Sequence, residues 1–184
     1  MGYYPYVRSC LADSYDVIHN EGNAGDSDNV VRKLDEWLSR DKDVALVHFN
    51  CGLHDIKIQR DRSDHQVPLG RYRENLIAVL AKLARFAEGG KKLIWASSTP
   101  VVFERHRARK DFDRRIEDVD NYNAVALEVM GAEGVGIDDL YAAVESAGRA
   151  ECLSADGVHM TDQCYEMLGN TVAQSIRLSM EEQC

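Results

Sequence analysis

Apolar positions along this 184-residue chain fall into two alternating kinds of segment. Short runs rich in β-branched and aromatic residues stand at Tyr15–His19 (YDVIH), Val44–Phe49 (VALVHF) and Leu93–Ala96 (LIWA), with a weaker one at Gly134–Ile137. The first three are compact and bounded by polar residues or glycine, the signature of strands buried on both faces of a parallel sheet. Between them, apolar residues recur at helical spacing. Val30, Leu34, Trp37 and Leu38 share one face, and Leu76, Leu80, Leu83 and Ala87 another. Tyr122, Ala126 and Met130 mark a helix in the 114–130 region. Cys164, Leu168, Val172 and Ile176 recur every four residues in the last one. Gly89-Gly90 reads as the C-terminal cap before the third strand. Strand and helix in regular alternation predict an α/β sandwich around a parallel sheet.

Charge narrows the partners. Twenty-two Lys and Arg against 31 Asp and Glu leave a net charge of −9, a surface that repels nucleic-acid phosphates and anionic membranes. No apolar run approaches the roughly 20 residues needed to span a bilayer. No basic start followed by an apolar stretch reads as a secretory signal. The five cysteines (Cys10, Cys51, Cys152, Cys164 and Cys184) are odd in number and include no C-x-x-C pair, against a disulfide framework or a zinc knuckle. A reduced, cytoplasmic setting is the expectation. The densely charged Phe103–Arg115 reads as a solvated loop or helix face, with a lid or oligomer contact as the alternative. Tyr3, Tyr4, Tyr6 and Tyr15 read as core packing rather than pocket walls.

Ligands of open α/β sheets bind beyond the carboxyl ends of the strands. Three loops qualify: 20–28, 50–55 and 97–100, all rich in small and polar residues. A fourth polar cluster, 154–161, precedes the last helix. Within it Asp156 stands three residues before His159. A carboxylate so placed can accept the imidazole Nδ1–H, fix the tautomer and leave Nε2 free to take a proton. An Asp-Gly turn followed by an exposed histidine is the bland alternative.

Gly25-Asp26-Ser27, Gly52-Leu53-His54-Asp55 and Asp156-Gly157-Val158-His159, in this order on an α/β pattern, resemble the SGNH or GDSL-like hydrolase superfamily of esterases and lipases. The resemblance spans essentially the whole chain and implies a flavodoxin-like three-layer α/β/α sandwich with a parallel sheet. It implies His159 as general base and Asp156 as its orienting partner. It also implies an oxyanion hole built from the Gly25 N–H and the Gly52 turn. Where the family pattern has asparagine, this chain has His54, whose imidazole N–H can donate in the right tautomer. Asn50, two residues before Gly52, is a substitute donor.

The family's nucleophile is a serine directly after its first strand. The 27 residues from Gly25 to Gly52 (52 − 25) resemble the spacing of the family's second and third blocks instead. Tyr3–Leu11 then resembles the helix that follows the nucleophile. The expectation is a single domain, 1–184, without the family's first strand, with Met1-Gly2-Tyr3 an internal stretch of a longer protein. An interior strand edge left open would encourage a homo-oligomer. Three roles are open to Ser27: helix N-cap, hydrogen-bonding residue near the pocket, or nucleophile within reach of His159 Nε2.

The leading expectation is thus a serine esterase of short acyl or acetyl esters, acting through an acyl-enzyme on a small-molecule ester, with no cofactor and no metal. Its rival is a non-catalytic relative that keeps the pocket and binds a ligand or partner. A metal hydrolase using Asp26, Asp28, Asp55 and His159 ranks last, because no H-E-x-x-H or similar spacing supports it.

Overall fold

A computed structural model of the protein describes residues 2–40, 43–87 and 92–181; the Gly89-Gly90 cap and Cys184 lie outside the described residues. Helix α1 (Tyr4–Leu11) carries a proline in its first turn, where the missing N–H costs no helical bond. Helix α2 (Ser27–Leu38) is capped by Asp26, whose side chain accepts the Asn29 N–H at 2.9 Å. The cap is therefore Asp26 and not Ser27, because Asp26 alone has the extended backbone from which a side chain can reach back to the first turn.

Strand β1 (Leu46–Phe49) leads through a two-residue strand β2 (Ile58–Gln59) into helix α3 (Leu69–Phe86) and strand β3 (Lys92–Ala96). Helix α4 (Phe103–Arg107), strand β4 (Phe112–Asp113), helix α5 (Ile116–Ala132) and strand β5 (Gly136–Asp138) follow. Helices α6 (Leu140–Ala147), α7 (Arg149–Cys152) and α8 (Asp162–Glu181) complete the chain. The main sheet is parallel, in the order β1-β3-β5, with Leu46 opposite Lys92 and Ile94 opposite Gly136. A second, antiparallel ribbon pairs β2 with β4.

Two apolar clusters sandwich the main sheet. Leu34, Leu76, Leu83, Trp95, Tyr122 and Met130 join α2, α3 and α5 on one face. Val7, Ile94, Leu140, Leu168 and Val172 join α1, α6 and α8 on the other. The result is the three-layer α/β/α arrangement with a parallel sheet. No helix among the described residues is long and apolar enough to cross a membrane.

The expected strand at Tyr15–His19 is not one. Its residues pair with no strand, and Ile18 is 54% exposed. The Val17 carbonyl takes its hydrogen bond from the Tyr4 hydroxyl at 3.1 Å, and the Tyr4 ring lies 5.0 Å from His19. β-Propensity selects residues that suit a sheet, but a ladder also needs a neighbour. β1 has one only on its β3 side. Tyr3 and Tyr15 pack on the α1–α6–α8 cluster, as core-packing residues do.

Candidate active site

Four loops meet at the carboxyl edge of the main sheet. The loop 154–160 is the most tightly held. Its ends pair as an antiparallel bridge, Leu153 with Met160, and Ser154 N–H donates to the His159 carbonyl at 2.7 Å. The Val102 N–H donates to the Gly157 carbonyl at 2.8 Å, and Arg105 donates to the carbonyls of Ala150 and Leu153. Gly157 sits at φ +71°.

On this scaffold Asp156 Oδ1 accepts the backbone N–H groups of Val158 (3.0 Å) and His159 (2.9 Å), and the Ser154 hydroxyl. Asp156 Oδ2 lies 2.5 Å from His159 Nδ1. Burial works against the Asp156 charge, but the bonds from His159, Val158 and Ser154 outweigh it and hold the carboxyl well below the usual range. The His159 side chain is 68% exposed. Its Nε2 makes no hydrogen bond among the described residues.

The turn after β1 presents the complementary feature. Gly52 has φ +151°, and a Cβ there would come within 2.5 Å of Ser98 Oγ, so a larger residue would push the turn off the β3 loop. The Gly52 carbonyl accepts from Asp55 and Ile56. The N–H groups of Gly52, Leu53 and His54 make no hydrogen bond among the described residues. His54 is half-buried and its imidazole is pulled down to about 4. Burial is the main cause, and the charges of Lys57, Arg114 and His159 add to it while Asp26 opposes. His54 is therefore neutral at physiological pH, and one ring nitrogen carries a hydrogen. Ser27 bonded to Asp55, Gly52 packed against Ser98 and Val102 bonded to Gly157 tie the Gly25–Asp26 loop, the Gly52 turn and the Asp156 loop to the same edge of the sheet.

Other residues singled out from the sequence are committed elsewhere. The Gly25 N–H donates to Asn23 Oδ1 at 2.8 Å. The Asn50 amide donates to the Ala96 carbonyl at 2.6 Å, joining β1's end to β3's. Ser27 is fully buried in the first turn of α2. Its N–H and hydroxyl both bond the Asp55 carboxylate, and Asn75 donates to its Oγ at 2.8 Å. No hydrogen bond joins Ser27 to His159. The condition for Ser27 as nucleophile is not met, because its hydroxyl is turned inward to satisfy a buried acid. Asp26, Asp28, Asp55 and His159 form no metal-binding cluster, nor does any group of three His, Cys, Asp or Glu among the described residues.

Burial pushes the Asp55 carboxyl up to about 6 from an ordinary 3.8, against the opposing bonds from Ser27. Folding thus favours its protonated form. The stability this confers is complete below about pH 4 and is lost as pH rises through about 6. The loss is about 3 kcal/mol. Denaturant unfolding of the wild type should show this decline, and Asp55→Asn should flatten it. An unaltered slope in the variant would assign the decline to other groups.

The charged stretch Phe103–Arg115 is not simply solvated. His106, Asp113 and Arg114 in it are buried. Arg114 donates through Nε to the Leu53 carbonyl at 2.5 Å, and its charge reaches Asp156. It lies between the Gly52 turn and the Asp156 loop, and the charge run concealed it from a reading by composition. Two hollows open nearby. One of about 500 Å³ is lined by Val102, Phe103, Arg115 and Arg149, among others. A smaller one of about 240 Å³ is lined by Lys57, Gln59, Arg62, Asp64, His65 and Gln66. Neither has His159 in its wall, so the site is defined by the His159–Asp156 pair and the Gly52 turn rather than by the larger hollow.

Solved structures of the same fold include a lipase/acylhydrolase from Enterococcus faecalis (TM-score 0.73, 22% identity, 95% of this chain and 84% of that one). A carbohydrate acetylesterase from Sinorhizobium meliloti matches with TM-score 0.73 and 16% identity, over 96% of this chain and 84% of that one. The M. smegmatis aryl esterase matches with TM-score 0.74 and 16% identity, over 96% and 84%. No curated protein matches the sequence. The sequence pattern of the GDSL-like Lipase/Acylhydrolase family matches residues 2–167. With that match over most of its length, the chain belongs to the GDSL-like lipase/acylhydrolase family of ester hydrolases.

Proposed function

We propose that this protein hydrolyses short acyl or acetyl esters, with His159 as general base and Asp156 as the group that orients it. The observation that carries the reading is the exposed His159 imidazole, whose Nδ1 is held at 2.5 Å by Asp156 while Nε2 stays open. The open N–H groups of Gly52, Leu53 and His54 supply the donors for a developing oxyanion. The family and the esterase structures that share the fold support the same chemistry.

The attacking hydroxyl gives its proton to His159 Nε2 as its oxygen bonds the carbonyl carbon. The same proton then passes to the departing alkoxide. A serine in that place would leave an acyl-enzyme for water to cleave; water in that place releases the acid in one addition–elimination. Since Ser27 is committed to Asp55, the described residues favour water. Ser27→Ala should therefore retain ester turnover. It should lower stability by about 1–3 kcal/mol, because Asp55 loses a partner in a buried site. Abolished turnover in a variant that unfolds like the wild type would instead make Ser27 the nucleophile.

A second reading is a ligand-binding protein without catalysis, favoured by the lack, among the described residues, of any side-chain hydroxyl bonded to His159. Turnover of p-nitrophenyl acetate, read with labelling by a fluorophosphonate, separates the cases. Turnover without labelling supports the water route. Labelling identifies a serine route, and neither signal leaves the binding reading.

A further inference from the structure

Beside the Gly52 turn this acidic chain gathers cations that make no ion pair among the described residues. Lys57 Nζ lies 5.1 Å from the centroid of the Phe112 ring, and Arg114 Cζ lies 5.0 Å from it. Arg114 is only 6% exposed. Among the described residues, no carboxylate is in ion-pair contact with either. Arg114 spends Nε on the Leu53 carbonyl, and the aromatic ring takes part of the remaining charge. A cation buried without a counter-charge is costly. Burial lowers the basicity of both; for Lys57 the Arg114 charge adds to the effect and Asp26 opposes it, and for Arg114 Asp156 opposes it.

Lys57 also lines the hollow of about 240 Å³, together with Arg62 and the polar Gln59 and Gln66. At about 30 Å³ per water, that space holds a carboxylate with two or three methylenes. The hollow adjoins the site. Gln66 donates to the Asp26 carboxylate, and the Lys57 charge reaches both His54 and Asp26. The acids facing it are Asp64 in its wall and Asp26 at its rim, and Asp118 Oδ1 lies 2.9 Å from His65 Nε2. Against these stand Lys57, Arg62 and, behind Phe112, Arg114.

We propose that this hollow selects esters whose acyl chain ends in a carboxylate, with Lys57 and Arg62 as the groups that hold it. The proposal rests on the esterase reading above and names its substrate class. An ester carbonyl on the Gly52–His54 donors would leave a short dicarboxylic half-ester reaching toward Lys57. A neutral chain of the same length would leave the cations unsatisfied and gain nothing from them.

The test compares p-nitrophenyl hemisuccinate with neutral p-nitrophenyl butyrate, and binding of monomethyl succinate with that of dimethyl succinate by calorimetry. Wild-type protein is expected to favour the anionic member of each pair by about tenfold, a preference that shrinks as salt is raised. Lys57→Gln and Arg62→Gln, both outside the packed core, should remove the preference, and Arg62→Gln should leave turnover of the neutral ester unchanged. Equal handling of the two esters, or a preference that survives both substitutions, overturns the proposal. If no ester is hydrolysed, the activity fails but the binding pair still decides the subsite.

Discussion

Replacing His159 by alanine is expected to lower p-nitrophenyl acetate turnover by about 10²–10⁴-fold, the range contributed by a positioned general base. The side chain is exposed and its ring packs into no core cluster, so thermal unfolding should stay close to that of the wild type. That separation matters, because it distinguishes lost chemistry from lost structure. Asp156→Asn should cut deeper into structure than chemistry alone requires. The carboxylate accepts the Val158 and His159 N–H groups through Oδ1 as well as the ring through Oδ2. An amide can keep one set of these bonds but offers a donor where the ring needs an acceptor, which turns the imidazole to the wrong tautomer. Turnover that persists in His159→Ala at the wild-type level would remove this histidine from the mechanism, whatever nucleophile is used.

The second large effect belongs to Gly157. Gly157→Ala is expected to cost about 2–5 kcal/mol, from left-handed backbone strain and overpacking together. For a chain of this size that is a fall in Tm on the order of 10 °C. The added Cβ would collide with the Val102 carbonyl, and would approach Arg105 Cβ and the His106 N–H at 2.9 Å. Two of these three are backbone atoms, which cannot swing aside. The same contacts carry the Val102–Gly157 hydrogen bond, so the loop that presents Asp156 and His159 must shift. Turnover should fall along with stability. Gly22→Ala is the control. Gly22 also has a positive φ, +73°, but nothing lies within 4 Å of its added Cβ. It should cost only the backbone strain, about 1–2 kcal/mol. Equal melting of the two variants would show that strain, and not the collision with α4's entry, sets the cost at Gly157.

Helices α2, α3, α5 and α8 were legible because each buries one continuous face. The four-residue recurrence of Cys164, Leu168, Val172 and Ile176 became α8, and all four are buried against the sheet. The parallel strands β1 and β3 were legible as compact apolar runs packed between the two helix layers, β3 more deeply than the edge strand β1. The spacing of Asp156 and His159 was legible because their contact is local: three residues and one glycine turn bring carboxylate and imidazole together wherever the loop is placed.

Contacts between distant residues were decided by the folded chain. Tyr15–His19 has the composition of a strand, yet pairing is a property of two segments, and no described strand pairs with it. Ser27 looked free for three roles until Asp55, 28 residues on, turned out to need its hydroxyl and N–H. Arg114 was hidden in a run of charges, because charge density along a chain says nothing about which guanidinium the fold will bury against a carbonyl. Local periodicity and local turns are written in neighbouring residues, whereas the satisfaction of a buried polar group depends on whatever the packing brings to it.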